Sequence, residues 1–314
     1  MKDGFPTKGH GSTRLTAGEG TRRGRCAVVR LVVLATLWIG GCDKHSSAPT
    51  KSVVTVASLV PAATDLIIGM GAKDRLLAVS NFDRQRPDVG GLPMVGDYET
   101  VDWEKLGEIR PSVIIIQIRP DRLPAGFAER AAGIGAVPMD VAINRLDDVL
   151  GAIDRLGDAM GMPGEAAAAK RVMQGRLDAV KRRVAGLKPV STLLVLDENG
   201  GAVAGPGTYL DDLLRLAGGV NAAGGLNNPW PQIDREMLVS LKPDVIIQLL
   251  PGASEQIKER AAENWKNLPG IPAVASGRVY TVDAWYALLP GWHVADLAEQ
   301  FSQWLHPNQP STMP

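Results

Sequence analysis

The sequence predicts an α/β protein of two similar lobes with mostly parallel sheets, joined by one long backbone helix. Three observations lead there. From Val53 onward short β-branched runs alternate with helical stretches, the pattern of parallel strands covered by helices. A stretch rich in Ala, Arg, Leu and Asp, Leu146 to Val184, divides these runs into two blocks. One fourteen-residue segment recurs in both blocks. A chain of 314 residues is long enough for two cores, and 45% hydrophobic residues with zero formal charge describe a globular body. No basic excess is available to neutralise phosphates, which argues against nucleic acid as a partner.

The first 41 residues read as an export signal. Arg22, Arg23, Arg25 and Arg30 precede the apolar run Leu31 to Ile39, which is shorter than the roughly 20 residues a membrane span needs. Ile39-Gly40-Gly41-Cys42 resembles the lipobox of bacterial lipoproteins, in which cleavage leaves an acylated Cys, here Cys42, as the new N-terminus. Cys26 lies within the removed segment, so the mature body has no disulfide and no thiol for catalysis. Thr21-Arg22-Arg23 has the outline of a twin-arginine signal, and the polar stretch before it leaves the true start open. Residues 42–52 are a tether. The expected location is extracytoplasmic, on a membrane of either envelope layer.

The N-terminal lobe is expected over residues 53–144, with strands Val53 to Ala57, Leu76 to Val79, Val113 to Gln117 and Val137 to Val141. Residues 145–188 form the connecting helix, with a break at Gly161-Met162-Pro163-Gly164. A helix of roughly 20 residues after that break is about 30 Å long, enough to bridge two lobes. The C-terminal lobe, 189–306, carries strands Thr192 to Leu196, Val245 to Leu249 and Val279 to Val282, and 307–314 is a tail.

The recurring segment is Asp102-Trp103-Glu104-Lys105-Leu106-Gly107-Glu108-Ile109-Arg110-Pro111-Ser112-Val113-Ile114-Ile115, which returns as Asp234-Arg235-Glu236-Met237-Leu238-Val239-Ser240-Leu241-Lys242-Pro243-Asp244-Val245-Ile246-Ile247 with half the positions identical. Each copy reads as an Asp-capped helix stopped before Pro and leading into a buried strand. Shared structural grammar explains the cap, the Pro and the apolar run, but not a Glu two residues after the cap in both. A second echo pairs Thr64-Asp65-Leu66-Ile67-Ile68-Gly69-Met70-Gly71 with Asp211-Asp212-Leu213-Leu214-Arg215-Leu216-Ala217-Gly218. Two like lobes leave a cleft between them, where ligand sites form.

Over about Val53 to Leu305 the chain resembles the cobalamin-binding periplasmic receptors, within the helical-backbone (class III) solute-binding proteins for siderophores, haem and corrinoids. The residues that carry this are Val56-Ala57-Ser58-Leu59-Val60-Pro61-Ala62-Ala63-Thr64-Asp65, Val79-Ser80-Asn81-Phe82, Gly218-Gly219-Val220-Asn221 and Pro229-Trp230-Pro231-Gln232-Ile233, together with the repeat. The resemblance implies a monomeric, lipid-anchored receptor that delivers a bulky chelate to the permease dimer and ATPase of an ATP-binding-cassette importer. It implies docking on the permease through Glu104 and Glu236, for which compensation of the helix dipole is the structural alternative. It places Phe82, Tyr98, Trp230, Asp283, Trp285 and Tyr286 at the ligand. Core packing is the alternative for each aromatic, and Trp103, Trp265 and Trp304, at helical spacing, read as structural.

The chain departs from the family at Gly291, where an Arg is common, and at Arg84-Gln85-Arg86-Pro87, which stands in place of Asp-Tyr-Pro. Arg84 and Arg86 are either partners for an anionic ligand such as a ferric siderophore or haem propionates, or a solvated loop. The chelate therefore stays open between a corrinoid, a ferric siderophore and haem, for which Tyr98, Tyr209, Tyr286, His293 or a Met are candidate axial ligands. A sensor lipoprotein that uses the cleft without transport is a further alternative. An enzyme is not expected, since no Ser-His-Asp spacing is present. Four histidines in the whole chain argue against a zinc or manganese site. Gly69-Met70-Gly71 and Gly205-Pro206-Gly207 read as helix-end and turn glycines rather than phosphate cradles.

Overall fold

The computed structural model describes residues 53–97, 99–118 and 123–309. The signal segment, Cys42, the tether, Tyr98 and the end of the tail from residue 310 lie outside the described residues.

The chain runs β1 (Val56–Ser58), α1 (Pro61–Gly69), β2 (Leu76–Ala78), α2 (Trp103–Ile109), β3 (Val113–Ile116), α3 (Phe127–Gly133), β4 (Val137–Asp140), α4 (Leu146–Met160), α5 (Pro163–Arg183), β5 (Val190–Val195), α6 (Tyr209–Leu216), β6 (Gly219–Asn221), α7 (Arg235–Ser240), β7 (Val245–Leu249), α8 (Glu255–Lys266), α9 (Pro272–Ala275), β8 (Val279–Val282) and α10 (Val294–Leu305). The first four strands form one sheet in the order β2-β1-β3-β4 and the last four a second in the order β6-β5-β7-β8. Every pairing is parallel, with Val56 opposite Val113 in the first sheet and Thr192 opposite Val245 in the second. The two sheets share one topology, as the repeat requires.

The strand β6 is absent from the sequence-based expectation. It is only Gly219-Val220-Asn221 at a sheet edge, too short and too polar to show an apolar run. The helical stretch between the lobes is two helices. Gly161 ends α4 in the left-handed conformation, and Pro163 opens α5, whose 21 residues span roughly 32 Å at 1.5 Å per residue. The longer helix after the break is thus the expected length, while α4 packs back along it.

Both repeated helices are capped as expected. The Lys105 N–H donates to Asp102 at the start of α2, and the Met237 N–H donates to Asp234 at the start of α7. The helices also end alike. Arg110 (φ 49°) and Lys242 (φ 44°), each eight residues after its cap, are the two non-glycine residues with positive φ among the described residues. A left-handed backbone at a non-glycine residue costs about 1–2 kcal/mol, so this shared strain is a stronger mark of duplication than the shared Pro.

Three apolar clusters hold the layers. One, with Leu106, Ile114 and Phe127, lies on the outer face of the first sheet; another, with Leu193, Leu238, Ile246 and Trp265, on the outer face of the second. The largest is common to both lobes. It joins Val56 and Ile115 to Leu194 and Ile247 through α1, α4, α5, α6 and α10. Full burial of one such aliphatic side chain contributes about 1.5–3 kcal/mol, so the lobes are welded along their inner faces by a continuous core. What lies at the open end of that weld is the cleft.

Candidate ligand cleft between the lobes

Each cleft residue follows a strand, at the carboxyl ends of the two sheets. After β2 the chain makes a tight 3-10 turn, Asn81–Asp83, tied by Ser80: the Phe82 N–H donates to the Ser80 hydroxyl at 3.2 Å and the Ser80 N–H to Asp83 at 3.2 Å. The Thr64 hydroxyl also donates to Asp83 at 3.1 Å. With Asp83 pinned inside, Phe82 is turned outward and is 57% exposed. From the other lobe, Trp230 is 46% exposed at the tip of a loop that crosses Gly205. A Cβ at Gly205 would meet the Asn228 carbonyl at 2.0 Å, so that glycine serves close backbone approach.

Two adjoining cavities meet at Pro61 and Leu289. One, of about 210 Å³, is lined by Phe82, Asp83, Gln85 and Arg86 from the first lobe and by Pro251 and Trp285 from the second. The other, of about 340 Å³, is mainly apolar, with Val60, Ile143, Leu196, Tyr209, Trp230 and Leu288 around the amides of Gln117 and Asn144. Tyr209 is buried, its ring 6.4 Å from that of Trp230, and its hydroxyl has no hydrogen-bond partner. Burial pushes the phenol pKa up, so it stays neutral.

The cation of the cleft is Arg86. It is buried, 6% exposed, which corrects both sequence readings of it as a solvated loop residue or a free partner for an anion. Its guanidinium donates to Asp65 at 3.0 Å and to Asp88 at 2.8 Å, lies 3.8 Å from Asp83, and covers the Trp285 ring at 4.2 Å. Arg84 is exposed. Burial raises the Asp83 carboxyl to about 6 against the lowering effect of Arg86, and burial raises Asp65 as well. Gly291 belongs to the same cluster. A Cβ there would sit 2.3 Å from an Asp65 oxygen, so Asp65 occupies the space a side chain would need.

The segment after β8 supplies a layered wall. Trp285 stands edge-on to Tyr286 at 5.4 Å and to His293 at 5.2 Å, and Tyr286 stacks on His293 at 4.2 Å. Of the sequence-predicted ligand residues, Phe82, Trp230 and Trp285 line the cavities and Tyr286 backs Trp285. Asp283 is exposed and pairs with Lys258 of α8 at 2.7 Å, outside both linings. Glu104 and Glu236 are exposed in the first turns of α2 and α7. Trp265 is buried in the second lobe's outer core, Trp103 packs on Phe127 at 4.9 Å and Trp304 stacks on Tyr280 at 4.7 Å. Sequence reasoning missed Asp65, Pro61 and Leu289. The one sequence signal at this cluster is Gly291, where the resemblance implies an Arg.

Among the described residues there is no group of three or more His, Cys, Asp or Glu that could hold a metal ion, and no helix long and apolar enough to cross a membrane.

Residues 56–286 match the family model described as periplasmic binding protein. The chain is 24% identical over 282 residues to the vitamin B12-binding protein of Vibrio cholerae serotype O1, covering 88% of this chain and 97% of the relative. It is also 24% identical to the protein of the same name from Yersinia pseudotuberculosis, covering 80% and 84%. Two solved structures share the fold. The periplasmic vitamin B12 binding protein of Vibrio cholerae has a TM-score of 0.66 and 24% identity, covering 80% of this chain and 96% of that one. A periplasmic heme binding protein from Pseudomonas aeruginosa has a TM-score of 0.68 and 22% identity, covering 82% and 95%.

Proposed function

Because this chain belongs to the periplasmic binding protein family, we propose that it is the extracytoplasmic receptor of an ATP-binding-cassette importer and that its cleft takes a bulky, uncharged-surfaced chelate, a corrinoid of the cobalamin type. The charge state of the cleft carries this reading. A haem or ferric siderophore with free carboxylates needs an available cation, and Arg86 already spends its donors on Asp65 and Asp88, with Asp83 beside it. The remaining lining is aromatic, aliphatic or amide, which suits a macrocycle edged with amides. The relatives named for vitamin B12 support the same choice. Calorimetry on the purified protein with cyanocobalamin, haemin and a ferric hydroxamate in turn tests it. Binding of cyanocobalamin is expected; haemin bound and cyanocobalamin rejected would replace the corrinoid with haem.

In this reading Cys42 carries the lipid anchor, and Glu104 and Glu236 dock on the two permease subunits. Their support is position: both are exposed, both follow the Asp cap by two residues, and the lobes that carry them share one topology. A two-fold partner can meet such a pair with equivalent contacts. Loss of uptake in a Glu104→Ala, Glu236→Ala double variant that still binds ligand is the expected result; undiminished uptake refutes docking through these residues.

A further inference from the structure

The two lobes hold one another by a reciprocal exchange that the sheet topology makes visible. Asp65 and Asp212 are the matching residues of the α1 and α6 echo. Asp65, on the first lobe's α1, accepts the Trp292 N–H at 2.5 Å and lies 3.8 Å from His293, the residue that precedes α10. Asp212, on the second lobe's α6, accepts the Leu146 N–H at 3.1 Å and both arms of Arg145, the residue that precedes α4. Each lobe therefore offers one Asp to the backbone and the cation at the start of a helix outside it, α10 for Asp65 and α4 of the connecting pair for Asp212. The two latches differ in burial, the Arg145 pair being the more exposed, and in the kind of cation. An arginine keeps its charge, whereas a histidine imidazole can lose its proton.

We propose that His293 is a positioning residue: its protonated ring, held between Asp65 and Asp296, closes the releasable latch and presses the Tyr286 and Trp285 wall into the cleft, so that ligand binding is tightest when His293 carries its proton. The charged groups around the imidazole come from every element packed on it. Asp65 comes from α1, Asp296 at 2.6 Å from its own helix, Arg86 and Asp88 from the loop after β2, and Arg176 of α5 reaches it through Asp296. Burial alone would lower the imidazole pKa; the Asp296 hydrogen bond and the Asp65 charge outweigh it, and the net shift is upward. The cation is accordingly complete below about pH 6.5, the ordinary histidine value, and is lost as pH rises through the raised pKa. Deprotonation leaves Asp65 with Arg86 and the Trp292 N–H but removes the charge that ties the wall to the first lobe.

The binding arm of this inference rests on the corrinoid reading; a spectroscopic arm does not. Tryptophan emission of the full chain is titrated from about pH 5.5 to 9 in the parent, His293→Gln, His293→Arg and Arg145→Gln, and cyanocobalamin binding is measured across the same range. Expected for the parent are an emission transition above about pH 6.5, reporting on the nearby Trp285, and an affinity that falls at least about fivefold toward pH 9, with a limit of about tenfold per pH unit. His293→Gln should lose the transition and bind weakly at all pH values. His293→Arg, which copies the permanent latch, should bind tightly without the slope, and Arg145→Gln should keep it. Asp83, raised to about 6, produces a separate change at the acid end that survives in all of them. A parent without the transition, or a slope that persists in His293→Gln, overturns the proposal. The transition present with no cyanocobalamin bound at any pH supports the latch and refutes the corrinoid assignment.

Discussion

At the tip of the first lobe the residue after the Asp cap is Trp103, folded down onto Phe127, with Arg130 over its ring at 5.9 Å. At the tip of the second lobe the same position is Arg235, which donates to the Asn267 carbonyl at 2.6 Å and leaves a cavity of about 190 Å³ lined by Asn199, Gly201, Asn264 and Leu238. Caps, left-handed helix ends and strand order are alike in the two lobes, yet one tip is filled by an aromatic core and the other is open and polar. The backbone plan is held by hydrogen bonds and buried strands that tolerate little change. Side chains above it are free to diverge once they no longer complete a sheet. The same division runs through the cleft, where the first lobe supplies the buried ion cluster and the second most of the aromatic wall.

The sharpest test of that division is charge. Arg86→Met leaves Asp65 and Asp83 buried without their cation and is expected to cost about 3–5 kcal/mol in denaturant unfolding. Arg145→Met at the Asp212 latch removes a half-exposed arginine and should cost no more than about 1 kcal/mol. Equal losses would mean that burial of the Arg86 cluster adds nothing over the half-exposed Arg145–Asp212 pair. Next in size is the pair Leu106→Ala and Leu238→Ala, at matching repeat positions. Leu106 sits in the closed core and should lose about 4 kcal/mol, whereas Leu238 borders the open cavity and should lose about 2 kcal/mol. A larger loss at Leu238 would contradict the packing difference between the tips. The smallest effect probes likeness: Arg110→Gly and Lys242→Gly should each stabilise by about 0.5–1 kcal/mol, since the relief of a left-handed residue exceeds the extra chain entropy of glycine. Gains that differ in sign between the two would separate helix ends that share one geometry.

Much of the architecture is legible in the residues because it is local. The Asp caps, the Pro stops, the Val-Ile-Ile runs and the break before Pro163 act within a few positions of themselves, and the repeat shows that they occur twice. Phe82 and Trp230 are expected at the cleft only through the family resemblance, since a lone aromatic in a loop reads equally well as core packing. What escapes is pairing across distance. The contact of Asp65 with Trp292 spans 227 positions, and nothing near either residue marks the other. Arg86 is misread because a loop of charged residues has the same composition whether it faces water or three carboxylates. Strand β6 escapes because its pairing with β5, not its own sequence, makes it a strand.

Each sheet draws its strands from one uninterrupted half of the chain, and the backbone passes from one to the other once, through the α4 and α5 hairpin. Neither half is threaded through the other. A cut in the turn at Gly186, after α5, would leave two fragments that each own a whole sheet and one acidic half of the reciprocal exchange. Coexpressed as separate polypeptides, they should find each other through the shared inner core and reconstitute the cleft, so the molecule is a candidate split reporter whose signal depends on reunion of its halves.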